Sequence, residues 1–355
     1  MARAMRALGI SCDVRCAAGF FEDVGSYDDL PPSGTEGSRH FSYRIADYSA
    51  LLVVGAWNPI ALPMAIAARS AGVIVLYAPK GQLCRFEFQH LRDVRKLFYL
   101  ALIEIWIALL AKTILFTSTL ERDRTLLPPL LSRKRALVLP EPLDGDRLGR
   151  GERASRKNGA PFHFGFIGQA SSRKGVAELV DGFLLAMQKS PEASAVLTIA
   201  GTSVPAFEET FEAIRRRSEI HPQGRRIRFL GQICGKERSA FYNDIDLVIM
   251  PSHFESYGLV LLEALWHGCA AITGPDVGVL EYLSNRDGIT VLTEISPEAI
   301  AHAIGSVLDD PQRLILSAHT RRHIVPDRLM GESIAGNFLG HISPVLNRGF
   351  PQVIG

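Results

Sequence analysis

The sequence predicts an α/β protein built from two doubly wound, Rossmann-like domains. Three observations lead there. The chain has 355 residues, which suits two domains at roughly 100–200 residues each. Short apolar runs bounded by Gly, Pro, Ser or Asp recur along it, the pattern of parallel strands covered on both faces. Longer helical patterns separate these runs, so a β–α alternation repeats.

In chain order, the predicted strands of the first half are Cys12–Cys16, Leu51–Gly55, Val73–Tyr77, Thr113–Thr117 and Ala136–Leu139. Those of the second half are His163–Gly168, Ala195–Ala200, Ile227–Leu230, Leu247–Met250, Ala270–Thr273 and Ile289–Leu292. Helices are predicted over Pro59–Ala71, Gly175–Lys189, Phe207–Ile220 and Gly258–His267. An amphipathic helix is predicted near Asp327 to Ile342, with Leu329, Ile334 and Phe338 inward. Two polar stretches lack periodicity. Glu22 to Gly37 reads as a surface loop, and Gly145 to Gly159, after Pro140-Glu-Pro142, reads as a linker. The organisation is therefore 1–145, linker 146–160, a second domain 161–325, and a final helix 326–345 crossing back to the first domain.

Composition removes several classes. Hydrophobic residues make up 47% and charged residues 21%, which excludes a disordered or low-complexity chain. The net charge is +2, which excludes a sequence-wide nucleic-acid footprint. Charge is uneven, however: Arg85 to Lys157 carry 15 Lys/Arg against 9 Asp/Glu. That excess suits either a solvated face or a face for phosphates or an anionic membrane. Cys12, Cys16, Cys84, Cys234 and Cys269 are odd in number and widely spaced, which points to a reducing cytoplasm and to no zinc site. The most apolar stretch, Leu97 to Ala111, is 15 residues long and contains Glu104, short of the ~20 needed to span a bilayer. It reads as a buried helix or as a peripheral membrane contact flanked by Arg92, Arg95 and Lys96.

The densest chemical signal runs from Pro251 to Gly268. A strand ends at Met250, a polar loop follows, and a helix starts near Gly258, where a missing Cβ lets a ligand approach the free N–H groups of the first turn. Glu255 stands before that helix and Glu263 on it; two carboxylates there suit two sets of sugar hydroxyls, although Glu263 also suits a plain polar helix face. Phe166 to Gly175 reads as strand, Gly turn, basic loop and helix, with Lys174 able to reach a pyrophosphate in the crevice at the strand ends. Gly201 and Gly231 end two further strands on the same side.

With these residues the chain resembles the family-4 retaining glycosyltransferases of the two-domain GT-B fold. The resemblance rests on Pro251, Ser252, Glu255, Gly258, Leu259 and Glu263, together with Lys174-Gly175, Ala200-Gly201, Leu230-Gly231 and the acidic turn before Leu247. It covers roughly Asp47 to Leu339 and is strong from Phe164 to Leu292. It implies two Rossmann-like domains with a cleft between them, an acceptor side in the first and a nucleotide-sugar site in the second. Lys174 and Glu255 would be the catalytic pair, with Lys174 on the donor diphosphate and Glu255 by the sugar hydroxyls. Glu263 would bind the ribose. Gly168, Gln169, Arg173, Gly201, Gly231, Ile233, Ser256, Tyr257, Gly258 and Leu259 would complete the donor site, the last four through backbone N–H groups. Trp57, Asn58 and Lys80 would lie on the acceptor side. No metal or other cofactor is implied, because cations and a helix terminus take that place. The partners implied are a nucleotide-sugar donor and a glycan or lipid-linked acceptor.

Three departures stand out. The family usually has arginine after the phosphate-loop glycine, where this chain has Gln169; Arg173 is not expected to substitute, because side chains of adjacent residues point apart. Losing one charge-assisted phosphate contact costs about 1.5–3 kcal/mol. Ala78-Pro-Lys-Gly81 stands where many relatives carry histidine. Residues Ala2 to Cys16 match the end of the family's first helix and its second strand, which predicts either a start upstream of Met1 or a divergent protein. Two alternatives to transfer therefore stand: an impaired nucleotide-sugar-binding or scaffolding homologue, and a sugar-nucleotide epimerase on the same fold.

Overall fold

A computed structural model of the chain describes Arg6, Leu8 and residues 45–88, 94–148, 159–202, 211–284, 286–311 and 325–347. Apart from Arg6 and Leu8, the expectations for residues 2–16, for the loop from Glu22 to Gly37, for the basic residues at 150–157 and for the first four residues of the helix at 207–220 lie outside these. The chain forms two compact units, Met1–Pro142 with Gly331–Gly355, and Leu143–Met330.

The first unit holds a four-stranded parallel sheet in the order β1-β2-β3-β4, with β1 Ala50–Val54, β2 Ile74–Ala78, β3 Thr113–Phe116 and β4 Ala136–Val138. Each strand lies on a predicted apolar run. Two helices cover one face of the sheet. Ala61–Ser70 packs through Ala61, Ala65 and Ala68. The other helix is continuous but not uniform: α-helical Val94–Tyr99, π-helical Leu100–Glu104, then α-helical Ile105–Leu110. Leu100, Glu104, Ile107 and Ala108 point inward from it, so the apolar stretch is a half-buried helix rather than a fully buried one. The opposite face of the sheet is covered by the C-terminal helix Gly331–Asn347 through Ile334, Phe338 and Ile342. Leu329, expected on that helix, precedes it in a 3-10 turn and is buried in the second unit instead.

The second unit holds a six-stranded parallel sheet: β5 Phe162–Ile167, β6 Ala195–Ala200, β7 Ile227–Gly231, β8 Leu247–Met250, β9 Ala270–Thr273 and β10 Ile289–Val291. The order is β10-β9-β8-β5-β6-β7. Its apolar runs are continuous because both faces are buried: along β8, Leu247 and Ile249 enter one core cluster while Val248 and Met250 enter the other. From β5 the chain winds one way through β6 and β7, and from β8 the other way through β9 and β10. The order therefore reverses between β5 and β8, and the two loops that leave these neighbouring strands diverge. In open α/β sheets that point is where ligands bind. Gly145–Leu148, part of the expected linker, is a helical turn held by Ser239 Oγ donating to Leu148 O at 2.6 Å.

Phe338 is 2% exposed, and its ring anchors the C-terminal helix to the first sheet. Phe338→Ala is expected to cost the first unit about 3–5 kcal/mol, since the cavity adds to the lost transfer energy. Urea unfolding followed by Trp57 and Trp106 fluorescence measures this in a Trp266→Phe background, which removes the second unit's tryptophan signal.

Candidate functional site

The site grows out of the strand reversal. The loop after β5 carries Gly168 to Gly175, and the loop after β8 carries Pro251 to Gly258. Two hydrogen bonds join them, one between backbones and one from a side chain: His253 N donates to Arg173 O at 2.9 Å, and Arg173 Nη1 donates to Phe254 O at 3.0 Å. A third strand end braces the second loop, with Glu255 N donating to Asp276 O at 2.8 Å and Gly278 N to Glu255 O at 3.0 Å.

Glu255 is the centre of this arrangement. Its carboxylate is 7% exposed and accepts from Lys174 Nζ, from Ser252 Oγ at 2.7 Å and from Arg173 Nη1 at 3.4 Å. Burial alone would raise its pKa, but the Lys174 and Arg173 cations outweigh that and hold it below the ordinary glutamate value. The expectation for Arg173 is corrected here. The Ser172–Lys174 3-10 turn, closed by Gly175 in the left-handed region, lets both adjacent cations reach one carboxylate. Two positive charges therefore stand at the mouth of the crevice, although exposed Gln169 supplies none.

The helix Leu259–Trp266 begins at Gly258, whose φ is +103°. A second reason for glycine stands here beside the expected one. Its conformation is closed to other residues, and a Cβ would lie 2.7 Å from Val277 Cγ1. Ser256 and Leu259 are half-buried, while Tyr257 is buried, its ring 6.0 Å from that of Tyr282. On the same helix Glu263 is no surface carboxylate. It is 8% exposed and accepts from Arg238 and from Tyr242 OH at 2.7 Å. Burial, with Glu263 beside it, pushes the Tyr242 pKa well above its usual value. Sequence reading missed Arg238 and Tyr242, although their four-residue spacing puts them on one helix face.

The remaining strand ends form a continuous rim. Gly168 N donates to Ala200 O at 3.0 Å, and Gly201 N to Gly231 O at 2.7 Å. Gly201 has a φ of +144°, and a Cβ on it would meet Gly168 O at 1.7 Å, so the rim closes this tightly only with glycine. Beyond it opens a cleft of about 260 Å³ lined by Gly201, Phe211, Arg215, Phe229 and Gly231. Ile233, expected in the donor site, is half-buried against the core of this unit.

The first unit gathers Trp57, Asn58 and Lys80 at the C-terminal ends of its own strands. Trp57 and Lys80 have φ values of +66° and +55°, a strained state for non-glycine residues that costs about 1–3 kcal/mol each. Two buried carboxylates hold the loops in place. Glu104 accepts from Trp57 N at 2.7 Å and from Tyr77 OH at 2.5 Å. Glu121 accepts from Gly81 N at 2.6 Å and from Thr117 N and Oγ1 at 2.7 and 2.6 Å. Burial raises the pKa of both. Lys80 Nζ pairs with Glu141 at 3.0 Å, and the Trp57 ring lies 5.7 Å from both Phe88 and Tyr99. Asn58 Oδ1 accepts from Ile60 N at 3.0 Å, turning the chain into the helix that follows. Sequence reading noted Glu104 only as an interruption of an apolar run and passed over Glu121. A carboxylate inside such a run is itself the signal of a buried partner.

Lys174→Met is expected to lower stability at neutral pH by roughly 1–3 kcal/mol, because Glu255 stays buried with a weaker counter-charge. The folded pKa of Glu255 lies below its unfolded value, so its contribution is present above the unfolded pKa and is lost as pH falls through the folded one. In the variant that pKa rises, so the gap from wild type narrows below about pH 5 as Glu255 takes up its proton. Urea unfolding at neutral and acid pH measures the difference.

Residues 151–323 match the family model described as glycosyl transferases group 1. Among curated proteins, D-inositol 3-phosphate glycosyltransferase of Corynebacterium jeikeium (strain K411) is 28% identical over 195 residues, covering 52% of this chain and 46% of that protein. The chain thus spans about half the length of that relative. Among solved structures, Anabaena Alr3699/HepE in complex with UDP and glucose superposes with a TM-score of 0.67 at 16% identity, over 84% of this chain and 79% of that one. Sucrose-phosphate synthase (tll1590) from Thermosynechococcus elongatus gives 0.65 at 19% identity, over 86% and 75%. These likenesses show the fold, two parallel α/β sheets as in the GT-B glycosyltransferase structures. The residues that match the glycosyl transferases group 1 model, 151–323, are those that hold the Lys174–Glu255 crevice, and the fold around them is GT-B.

Proposed function

We propose that this chain transfers a sugar from a nucleotide-diphosphate donor to a hydroxyl acceptor, with retention of anomeric configuration. One observation carries the reading: Lys174 and Arg173 meet on Glu255 where the strand order reverses, beside the start of the Leu259–Trp266 helix. A donor diphosphate offers the same cations a better partner than a single carboxylate does. As the phosphates take up Lys174 and Arg173, Glu255 turns to the sugar hydroxyls. Glu263, held by Arg238 and Tyr242, faces the ribose, and the base lies along Gly231. Phosphate charge that develops as the glycosidic bond breaks is met by the two cations and the free N–H groups of the helix start. The sugar–phosphate C–O bond breaks, a C–O bond to the acceptor forms, and the acceptor proton passes to the departing phosphate. The acceptor is a glycan or lipid-linked hydroxyl of a surface polysaccharide or glycolipid, met by Trp57, Asn58 and Lys80. The Anabaena structure, which holds UDP and glucose, supports this class of donor, and the corynebacterial relative, a glycosyltransferase, supports transfer.

Gln169 favours a second reading, in which the chain binds nucleotide sugars without transferring them. Thermal unfolding with UDP, GDP and ADP, followed by a transfer assay with the matching labelled sugar nucleotides, separates the two. A ligand at about 100 times its Kd adds about 2.7 kcal/mol, a shift of a few degrees. The expected result is a shift with one nucleotide, lost in Glu263→Ala, together with a glycoside whose anomeric configuration by NMR matches the donor. Glu255→Gln should keep the shift and lose transfer by on the order of a hundredfold. A shift without product in wild type supports the binding reading; no shift with any nucleotide overturns both.

A further inference from the structure

The first unit presents a face that the transfer reading leaves unused. Along the helix from Val94 to Leu110 the inward side is buried, while Phe98, Leu102, Trp106 and Leu109 are 66, 59, 54 and 43% exposed. Their spacing of four, four and three places them in one outward stripe. The helix Ala61–Ser70 lies in the same layer over the sheet and adds exposed Met64 and Ile66. Surface apolar residues scattered singly carry no message, but a contiguous stripe with aromatic residues does.

The charges around this face select the partner. Exposed Arg95 stands at the start of the stripe and exposed Arg69 on the neighbouring helix. At the far end, exposed Arg135 donates from Nη1 to Leu109 O at 2.8 Å and to Ala111 O at 3.1 Å, with Lys112 beside it. Across both helices the one carboxylate is Glu104, fully buried and turned inward to Trp57 N and Tyr77 OH. Among the described residues of these two helices the surface is therefore apolar in the middle, cationic at its ends and free of exposed acid. We propose that this face docks on an anionic lipid bilayer, lying in the interface rather than crossing it. Trp106 and Phe98 enter the headgroup–acyl boundary, while the arginines meet lipid phosphates. No helix among the described residues is long and apolar enough to span a membrane, which fits an in-plane contact. A second copy of the chain fits less well: a two-fold pairing of this stripe with itself would set arginine against arginine at one end or the other.

The test is flotation of the full chain with vesicles of phosphatidylcholine alone and of phosphatidylcholine mixed with phosphatidylglycerol. Wild type is expected to float with the anionic vesicles, to float far less with the neutral ones, and to be released by salt. Phe98→Ser/Trp106→Ser, and separately Arg69→Glu/Arg95→Glu, should each lower the bound fraction on the order of tenfold while keeping the wild-type circular dichroism and thermal midpoint. Nucleotide-induced thermal shifts should be the same in these variants and in wild type, so this test stands apart from that of the donor site. No flotation of folded wild type, or equal flotation of the Ser variant, overturns the proposal. So does a wild-type dimer in the absence of lipid that the Ser variant converts to monomer.

Discussion

A buried carboxylate between two cations organises the second unit. Glu255 is charged where water hardly reaches, a state that survives only with close positive partners. Lys174 and Arg173 supply them from the neighbouring loop, so neutralising Glu255 and joining the two loops of the strand reversal are one event. The rest of the crevice follows from that junction: the Leu259–Trp266 helix is aimed by the loop that Glu255 pins, and Glu263 is placed by the helix. An attraction within the protein that a phosphate can take over is also a suitable ground state for a binding site. Ligand entry then exchanges one set of ion pairs for another instead of exposing bare charge.

The first unit repeats the device with different partners. Glu104 and Glu121 accept backbone and hydroxyl hydrogens from loops that leave β1, β2 and β3. Neither has a cation within salt-bridge distance among the described contacts, and burial raises both pKa values. These carboxylates hold backbone rather than charge, and what they hold is strained: the Trp57 and Lys80 loops carry the two positive-φ non-glycine residues among the described ones. Both units thus stabilise irregular backbone at the C-terminal ends of parallel strands, the edge on which α/β sheets place their chemistry.

How much of this was legible depends on the range of the interaction. Strands β1 to β10 fall on predicted runs because a strand buried on both faces needs a continuous apolar segment, and that requirement is local. Glu255, Glu263 and Lys174 were legible because their loops and helix carry a spaced pattern. The partners were not. Arg238 and Tyr242 sit 25 and 21 residues from Glu263 and meet it only through packing. Arg173 was misjudged because alternation of side chains is a rule for extended chain, and a 3-10 turn breaks it. Gly258 was legible for one cause only: its backbone angle and Val277 also demand glycine there, quite apart from any ligand.

The π-helical segment Leu100–Glu104 makes its helix tolerant of one kind of change that helices usually refuse. A π turn absorbs an extra residue into a helix, so the segments on either side keep a fixed angular offset. A residue lost from regular α-helix rotates everything beyond it by about 100°. A residue lost between Leu100 and Ile103 would instead restore regular winding and leave Trp106 facing outward. The segment behaves as slack in a rope: it can be taken up without turning either end. Lineages of this chain should therefore vary in residue count here more readily than elsewhere along the same helix.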